Sequence, residues 1–269
     1  MKTIRTAKLG KLELRLVEKD KRYFGLVIGD GGRKAQIEGD NADDVWRRLH
    51  DEAAKSSARY FGFDGARNRF LHFFSNGFYS DGYASQERDY KVAAKSKLDS
   101  TVPLDRAEGG AGFGEAILAV FRATNLLSPF EKTRMQGVLR GPNAAAFVQA
   151  AARFTLGEGK PALLDMERAL KPHDNAKWTV VTYLPFLWRP DQHMFLKPEV
   201  TNDFAARVGH RFALNYSAKL DMAVYDDLLD LAGKTASELS DLKPRDRIDV
   251  QSFIWVVGDY STDAETPKL

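Results

Sequence analysis

Short runs of apolar and β-branched residues, separated by turn residues, occupy the first 38 positions of the chain. The runs Leu12–Val17 and Tyr23–Ile28 have the length and composition of β-strands, and a glycine-rich turn at 29–32 follows the second run. We expect a hairpin turn there, because a phosphate-binding loop would need a lysine and a helix directly after its glycines. The pattern predicts an antiparallel β-meander of three or four strands.

From residue 40 onward the apolar positions recur three and four residues apart, which is the period of an amphipathic helix. Prolines and glycines interrupt this pattern and separate one helix from the next. Helices are predicted at about 41–54, 81–98, 112–126, 129–140, 142–155, 161–170, 176–188, 200–208, 219–239 and 247–257. The predicted fold class is α+β, mostly α, with a β-meander and one helix at 1–58, a helical domain at 59–260 and a flexible polar tail at 261–269.

Composition excludes several classes of protein. A chain of 269 residues that is 43% hydrophobic and 29% charged can form a packed core and is not expected to be disordered. It has no cysteine, which excludes disulfides and thiolate sites, and no histidines at metal-site spacing, so we expect no cofactor and no metal. No apolar run is long enough for a membrane span or a signal peptide, so we expect a cytoplasmic protein. Because the net charge is only +3, contact with nucleic acid would need a local basic patch.

A basic turn leads into an apolar segment near the C-terminus. The turn carries three basic residues, Lys243, Arg245 and Arg247. Asp249 then stands among the apolar residues of 248–257. Burial raises the pKa of a carboxylate and neighbouring cations lower it, and enzymes use both effects, so Asp249 is a candidate catalytic residue. The alternative is structural, in that Asp246 or Asp249 caps a helix that begins after Pro244.

The stretch 59–90 contains ten aromatic residues interleaved with arginines. Aromatic faces stack on bases and basic side chains neutralise phosphates, so this composition is typical of a nucleic-acid groove. Helical spacing favours a core position for three of the phenylalanines, Phe70, Phe73 and Phe74. Tyrosines are better candidates for a base pocket, because a phenol can both stack and hydrogen-bond. The tyrosine candidates are Tyr79, Tyr83 and Tyr90.

Two further groups of residues have alternative interpretations. Glu87 and Lys91 stand four residues apart and can form a surface ion pair, whereas Arg88 and Lys91 share a helix face and can both contact phosphate. The second group lies in Trp188–Val200, a segment that begins at a helix end and is expected to be a loop between Pro190 and Pro198. There Trp188 and His193 combine aromatic surface with hydrogen-bonding groups, as binding loops often do. His193 has no acid or nucleophile at the spacing of a triad, so a structural histidine is the alternative.

Several of these segments resemble known families. Ile248–Val256 resembles the catalytic segment of helix-hairpin-helix DNA glycosylases, in which an aspartate follows a DNA-gripping hairpin. Leu242–Asp246 stands in place of the hairpin glycines, and no lysine matches the nucleophile of the bifunctional members. Tyr60–Gly65, Arg69–Phe74 and Gln86–Lys91 resemble prokaryotic proteins related to α-glutamyl/putrescinyl-thymine pyrophosphorylases, a group that includes antiphage glycosylases acting on modified bases.

The resemblance implies a DNA glycosylase that flips out and excises a modified, hypermodified or glucosylated base from phage DNA in antiphage defence, leaving an abasic site. Asp249 would stabilise the oxocarbenium-like sugar or activate the attacking water. The DNA-binding candidates are Lys243, Arg245, Arg247, Arg88 and Lys91. The base-pocket candidates are Tyr79, Tyr83, Tyr90, Trp188, His193 and Gln251. We expect a monomer with DNA as its partner and no membrane partner. The alternatives are a non-catalytic DNA-recognition module and a helical interaction protein.

Overall fold

The computed structural model describes residues 2–9, 12–29, 32–56, 61–110 and 112–260. An N-terminal antiparallel sheet is followed by many helices, which confirms the predicted α+β, mostly α fold. Two compact units divide the chain, Met1–Ser75 with Asp259–Leu269 and Asn76–Gly258. The domain boundary predicted at 58/59 and the tail predicted at 261–269 lie outside the described residues.

The first unit is built on a four-stranded meander. Its strands are β1 (Lys2–Leu9), β2 (Leu12–Lys19), β3 (Arg22–Gly29) and β4 (Gly32–Gly39). They lie in the order β1-β2-β3-β4, each antiparallel to the next. Gly29 pairs with Gly32 across the two central residues of the predicted hairpin turn, which are not described. Between β2 and β3, Asp20 and Lys21 both adopt positive φ, 50° and 62°, as a two-residue hairpin turn requires.

Helices α1 and α2 complete this unit. They run over Ala42–Ser56 and Gly62–Phe73. α1 packs on the sheet, where Leu49 and Ala53 meet Leu14 and Val27 in a buried apolar cluster. α2 was not predicted as a separate helix. Phe70 and Phe74 are buried as predicted, whereas Phe73 is partly exposed.

The second unit is helical in its described residues. Its α-helices are α3 (Asp81–Tyr83), α4 (Asp89–Thr101), α5 (Leu104–Ala107), α6 (Gly114–Arg122), α7 (Pro129–Arg140), α8 (Ala144–Thr155), α9 (Lys160–Leu170), α10 (Trp178–Trp188), α11 (Pro198–Arg207), α12 (Phe212–Asn215), α13 (Met222–Glu238) and α14 (Arg247–Asp259). Every residue of α10 is buried, and α4, α8 and α9 pack against it. A helix that is buried on every side forms the centre of a helical core. No helix in the described ranges is both long and apolar enough to cross a membrane.

A π-helical segment, Ala84–Arg88, joins α3 to α4 in one continuous helix. The backbone N–H of Asp89 reaches the carbonyl of Ala84, five residues back, where an α-helix would use the residue four back. Such segments are rare and occur frequently at functional sites. Here the segment faces the N-terminal end of α14 through the contacts described below.

Candidate functional site

The candidate site begins at the N-terminus of α14, where Asp246 caps the helix. Asp246 Oδ1 accepts hydrogen bonds from the backbone N–H groups of Ile248 at 2.9 Å and Asp249 at 3.4 Å. These bonds satisfy donors that the first turn of a helix leaves without partners. Of the two caps considered from the sequence, Asp246 therefore supplies the standard N-cap.

Asp249 lies one turn further on and is completely buried, with 0% of its surface exposed. Its Oδ1 accepts from the Tyr83 hydroxyl at 2.6 Å, from Arg88 Nη1 at 2.9 Å and from Arg245 Nη2 at 3.1 Å. Its Oδ2 accepts from the backbone N–H of Arg245 at 2.8 Å and from Arg245 Nε at 2.9 Å. The carboxylate is thus a buried anion held by two guanidinium groups and a phenol.

Arg88 links both aspartates. Its Nη1 and Nη2 donate to the two oxygens of Asp246 at 2.8 and 2.7 Å, and Nη1 also reaches Asp249. Burial alone would lower the pKa of the Arg88 guanidinium, but Asp246 and Asp249 outweigh it and raise that pKa. Burial, together with the Asp249 charge, raises the pKa of the Tyr83 phenol well above its usual value. Arg88 and Tyr83 therefore face the interior, and their polar groups are engaged with the aspartates.

Tyr79, Lys243 and Arg245, all predicted site residues, meet at the surface beside this network. The Arg245 guanidinium lies 5.1 Å from the centre of the Tyr79 ring and donates to the carbonyl of Phe78 at 2.8 Å. The Tyr79 hydroxyl donates to the carbonyl of Lys243 at 3.0 Å, where the backbone has a left-handed φ of 52°. Tyr79 remains 59% exposed and Lys243 is exposed. These two side chains are open to a ligand from outside.

Lys91 lies on the same helix as Arg88 but points into the interior, with 1% of its surface exposed. Its Nζ donates to Glu87 Oε2 at 3.1 Å and to Ser252 Oγ at 2.8 Å. The ion pair considered from the sequence does form, but inside the protein and not at its surface, and the ammonium faces Glu87 and Ser252 instead of a phosphate. Burial lowers the pKa of Lys91, although the charge of Glu87 opposes the shift.

A small cleft opens between α4 and α14 next to Lys91. The lining includes Tyr90, Lys91, Asn125, Lys197, Gln251 and Trp255. Its volume is about 30 Å³, room for about one water molecule. Lys197 Nζ lies 5.5 Å from the Trp255 ring centre, and Lys91 Nζ lies 5.3 Å from that of Tyr90. Gln251 Oε1 is buried and has no hydrogen-bond donor among the described residues.

The remaining predicted residues lie elsewhere. Trp188 is buried, and its Nε1 donates to the carbonyl of Val102 at 3.0 Å. His193 Nε2 lies 3.0 Å from the carbonyl of Thr155, which can only accept, so Nε2 carries the proton and Nδ1 accepts from the Tyr225 hydroxyl at 2.9 Å. Burial lowers the pKa of His193, which keeps this ring neutral. The structural interpretation of His193 fits these contacts.

Arg247 is also turned toward the protein. Its Nη1 donates to the carbonyl of Gln192, and its backbone N–H donates to the carbonyl of Pro190 at 2.9 Å. Burial lowers the pKa of the Arg247 guanidinium. Arg247 therefore fastens the start of α14 to the segment that follows α10.

A larger hollow of about 310 Å³ lies between α8 and α9 and contains none of the predicted site residues. Its lining includes Arg153 and Arg168, and both of them pair with Asp165, at 2.7 and 2.5 Å. Because Asp165 neutralises these cations within the wall, the hollow offers a ligand fewer unpaired polar groups than the smaller cleft beside Lys91 does.

Tyr90, Lys91 and Gln251 are the predicted site residues that line the cleft. Trp255, which also lines it, and Ser252, which accepts a hydrogen bond from Lys91, were not predicted as site residues. Among the described residues, no three His, Asp or Glu side chains are grouped as metal ligands would be. Comparison with protein-family models, with curated proteins and with solved structures finds no match for the chain. The chemistry of the site is therefore inferred from its geometry.

Proposed function

We propose that the protein is a DNA glycosylase that receives a flipped, modified base in the cleft between α4 and α14. The observation that carries this proposal is Gln251, which lines the cleft and whose buried amide oxygen has no donor in the described part of the chain. A buried acceptor without a partner costs about 1–3 kcal/mol, so a site that retains one calls for an explanation. The N–H groups on the edge of a nucleobase would supply the missing donor.

The other walls of the cleft suit a base as well. Tyr90 and Trp255 contribute aromatic surface, and Lys197 contributes a positive charge beside Trp255. Stacking of a base on an aromatic side chain is worth about 1–3 kcal/mol, which offsets part of the few kcal/mol needed to extrude a nucleotide. A space of about 30 Å³ is too small for a base, so entry requires Lys197 and Trp255, both only partly buried, to move apart.

Asp249 has a narrower role in this proposal than in the hypothesis from the sequence. Its oxygens are occupied by Tyr83, Arg88 and Arg245, and none of its surface is exposed. Activation of a water by Asp249 would require these donors to leave, whereas stabilisation of a cationic sugar by its fixed charge would not. We therefore assign it the electrostatic role.

The test is an abasic-site assay on phage DNA with modified bases and on unmodified DNA, followed by alkali. The wild-type protein is expected to give strand breaks on the modified DNA alone. Gln251→Met keeps the length of the side chain but removes the amide, so excision should fall at least about tenfold because base hydrogen bonding is lost. Gln192→Met is the matched control, because Gln192 is exposed and does not line the cleft.

The free energy of unfolding of the same variants shows whether Gln251 binds the base or only stabilises the fold. Gln251→Met should be at least as stable as the wild type, by up to about 1 kcal/mol, since it removes a buried acceptor without a donor. Loss of excision together with loss of folding would count against the proposed role of Gln251. DNA binding without strand breaks by the wild-type protein would favour a recognition module. In such a module Asp249, whose oxygens all accept hydrogen bonds within the protein, would have a purely structural role.

A further inference from the structure

We propose that Lys91, and not Asp249, is the side chain that exchanges a proton with the substrate in this cleft, as a general acid toward the departing base. The proposal rests on the proposed glycosylase function and adds a catalytic residue to it. Lys91 was considered from the sequence only as a surface cation, and its position in the cleft wall is the new observation.

Lys91 belongs to the cleft lining and Asp249 does not. Lys91 lines the cleft together with Gln251, where the edge of a bound base would lie. An ammonium has three N–H donors, and among the described residues two acceptors are present, Glu87 Oε2 and Ser252 Oγ. The third donor is left for a ligand. Asp249, in contrast, does not line the cleft, and its oxygens are occupied by Tyr83, Arg88 and Arg245.

The charges around Lys91 suit proton exchange. Burial, the largest influence, lowers the pKa of Lys91, and the Arg88 charge adds to this effect. Glu87 and Asp249 act in the opposite direction and favour the protonated amine. Lys197 lines the same cleft and contributes a further positive charge. A lysine with a lowered pKa can give and regain a proton near neutral pH, which an exposed lysine does poorly.

Hydrogen bonds join this amine to the buried anion. Ser252 accepts from Lys91, and the Tyr83 phenol interacts with both Ser252 and Asp249. The neighbouring phenol of Tyr90 packs beside the amine on the cleft side. The network therefore fixes the position of Lys91 Nζ through two of its three donors.

The reaction step balances without a cofactor. Protonated Lys91 donates its proton to a ring nitrogen or carbonyl oxygen of the base, the C1′–N bond breaks, and its electron pair goes to the base. Water adds to C1′ of the sugar, and the proton that this water loses returns to the Lys91 amine. The products are the free base and an abasic site, and the lysine is regenerated.

The first test is the dependence of the single-turnover excision rate on pH. The wild-type rate should fall at alkaline pH, because the acid must be protonated. Lys91→Arg keeps the positive charge but cannot deprotonate in this range. The alkaline fall should therefore disappear, and excision at neutral pH should drop about 10²-fold or more, the usual contribution of a general acid.

A second variant guards against failure to fold. Lys91→Met alone would leave the buried Glu87 carboxylate without its positive partner. We therefore combine it with Glu87→Gln, so that both positions are neutral. The double variant should fold and bind DNA, while its excision rate falls about 10²-fold or more. Glu87→Gln alone is the matched control and should retain the lysine-dependent pH profile with a shifted midpoint.

NMR titration of the lysine side-chain amines separates the two proposals. Lys91, identified by its absence in Lys91→Arg, should titrate below the exposed lysines. Titration together with the exposed lysines would overturn the role of Lys91 even if the protein is a glycosylase. Wild-type excision with an unchanged pH profile in Lys91→Arg would do the same, whereas absence of wild-type excision on any DNA would reject the glycosylase itself and Lys91 as its acid.

Discussion

Helices α7 and α14 begin with the same arrangement, a capping residue followed three positions later by an acid. In α7, Ser128 Oγ accepts from the backbone of Glu131 at 3.3 Å, and Glu131 Oε2 accepts from the backbone of Ser128 at 2.8 Å. In α14, Asp246 caps the first turn, and Asp249 reaches back to the backbone of Arg245. The two helix starts share this spacing, but Glu131 reaches back to the cap itself, whereas Asp249 reaches the residue before the cap.

The side-chain partners of the two acids make the difference. Glu131 accepts a further hydrogen bond from the hydroxyl of Thr179, a neutral group. Asp249 instead gathers the guanidinium groups of Arg88 and Arg245 around a fully buried carboxylate. Burying charges carries a large desolvation penalty, and a cap requires no charged partner. Capping therefore accounts for Glu131, whereas Asp249 also holds Arg88 in place one turn before Lys91.

Truncation of the two acids should give the largest effect. Asp249→Ala removes the carboxylate that pairs with Arg88 and Arg245 and leaves a cavity beside their charges. We expect a loss of about 3–5 kcal/mol in the free energy of unfolding. Glu131→Ala removes one arm of a capping box and one hydroxyl partner, and we expect a loss of about 1–2 kcal/mol. Urea unfolding followed by tryptophan fluorescence measures both. Equal losses would show that the two helix starts are energetically the same.

Loss of one arginine should have an intermediate effect. Arg88 is only 13% exposed in its pair with Asp246, so Arg88→Gln should cost about 3 kcal/mol, because it leaves buried carboxylate oxygens short of donors. Arg140 pairs with Glu115 at the surface, 51% and 66% exposed, and Arg140→Gln should cost at most about 1 kcal/mol. Thermal unfolding at low and high salt is the measurement. A salt-sensitive loss in Arg88→Gln that matches Arg140→Gln would place Arg88 among ordinary surface ion pairs.

The smallest effect isolates the ion pair from the cap. Asp246→Asn keeps an oxygen for the backbone of α14 but removes the charge that faces Arg88, and we expect a loss of about 1 kcal/mol. Asp221 caps α13 through Ala223, and no ion pair to it occurs among the described residues. Asp221→Asn should therefore change stability by only a few tenths of a kcal/mol. If the two substitutions cost the same in thermal unfolding, the Arg88–Asp246 pair contributes nothing beyond the cap.

Local signals explain which helices were predictable. Helix α7 was predicted at 129–140 and is found at Pro129–Arg140, because Ser128 caps it, Pro129 suits its first turn and Gly141 follows its last residue. Helix α2 was missed because its glycines at 62 and 65 oppose helix formation locally. Burial of Phe70 and Phe74 in the packed unit stabilises it instead, and packing of that kind cannot be inferred from a window of sequence.

The site was predictable in its members but not in its arrangement. Asp249, Arg88 and Tyr83 were all named, yet they are separated by 161 and 166 residues, and the sequence provides no pattern that pairs them. Lys91 was assigned to the surface because a Glu–Lys spacing of four looks the same on a buried helix face. The spacing of Gln251 and Trp255, also four residues, could have indicated a shared face for the cleft lining.

The π-helical segment Ala84–Arg88 makes the site sensitive to the number of residues in one helix. Each residue of an α-helix advances the chain by about 100°, and residues four apart are offset by about 40°. The wider turn brings Tyr83, Glu87 and Lys91 nearer to a single line, so that Tyr83 meets Asp249 and Lys91 meets Ser252 of the same helix. Removal of one residue from 84–86 would leave a regular helix with seven residues from Tyr83 to Lys91, a rotation of about 700°, so these two side chains would still share a face. Glu87 would then lie about 60° away from Tyr83 instead of in line with it. Related chains that lack one residue in this short stretch would therefore keep the fold but lose the alignment of all three side chains.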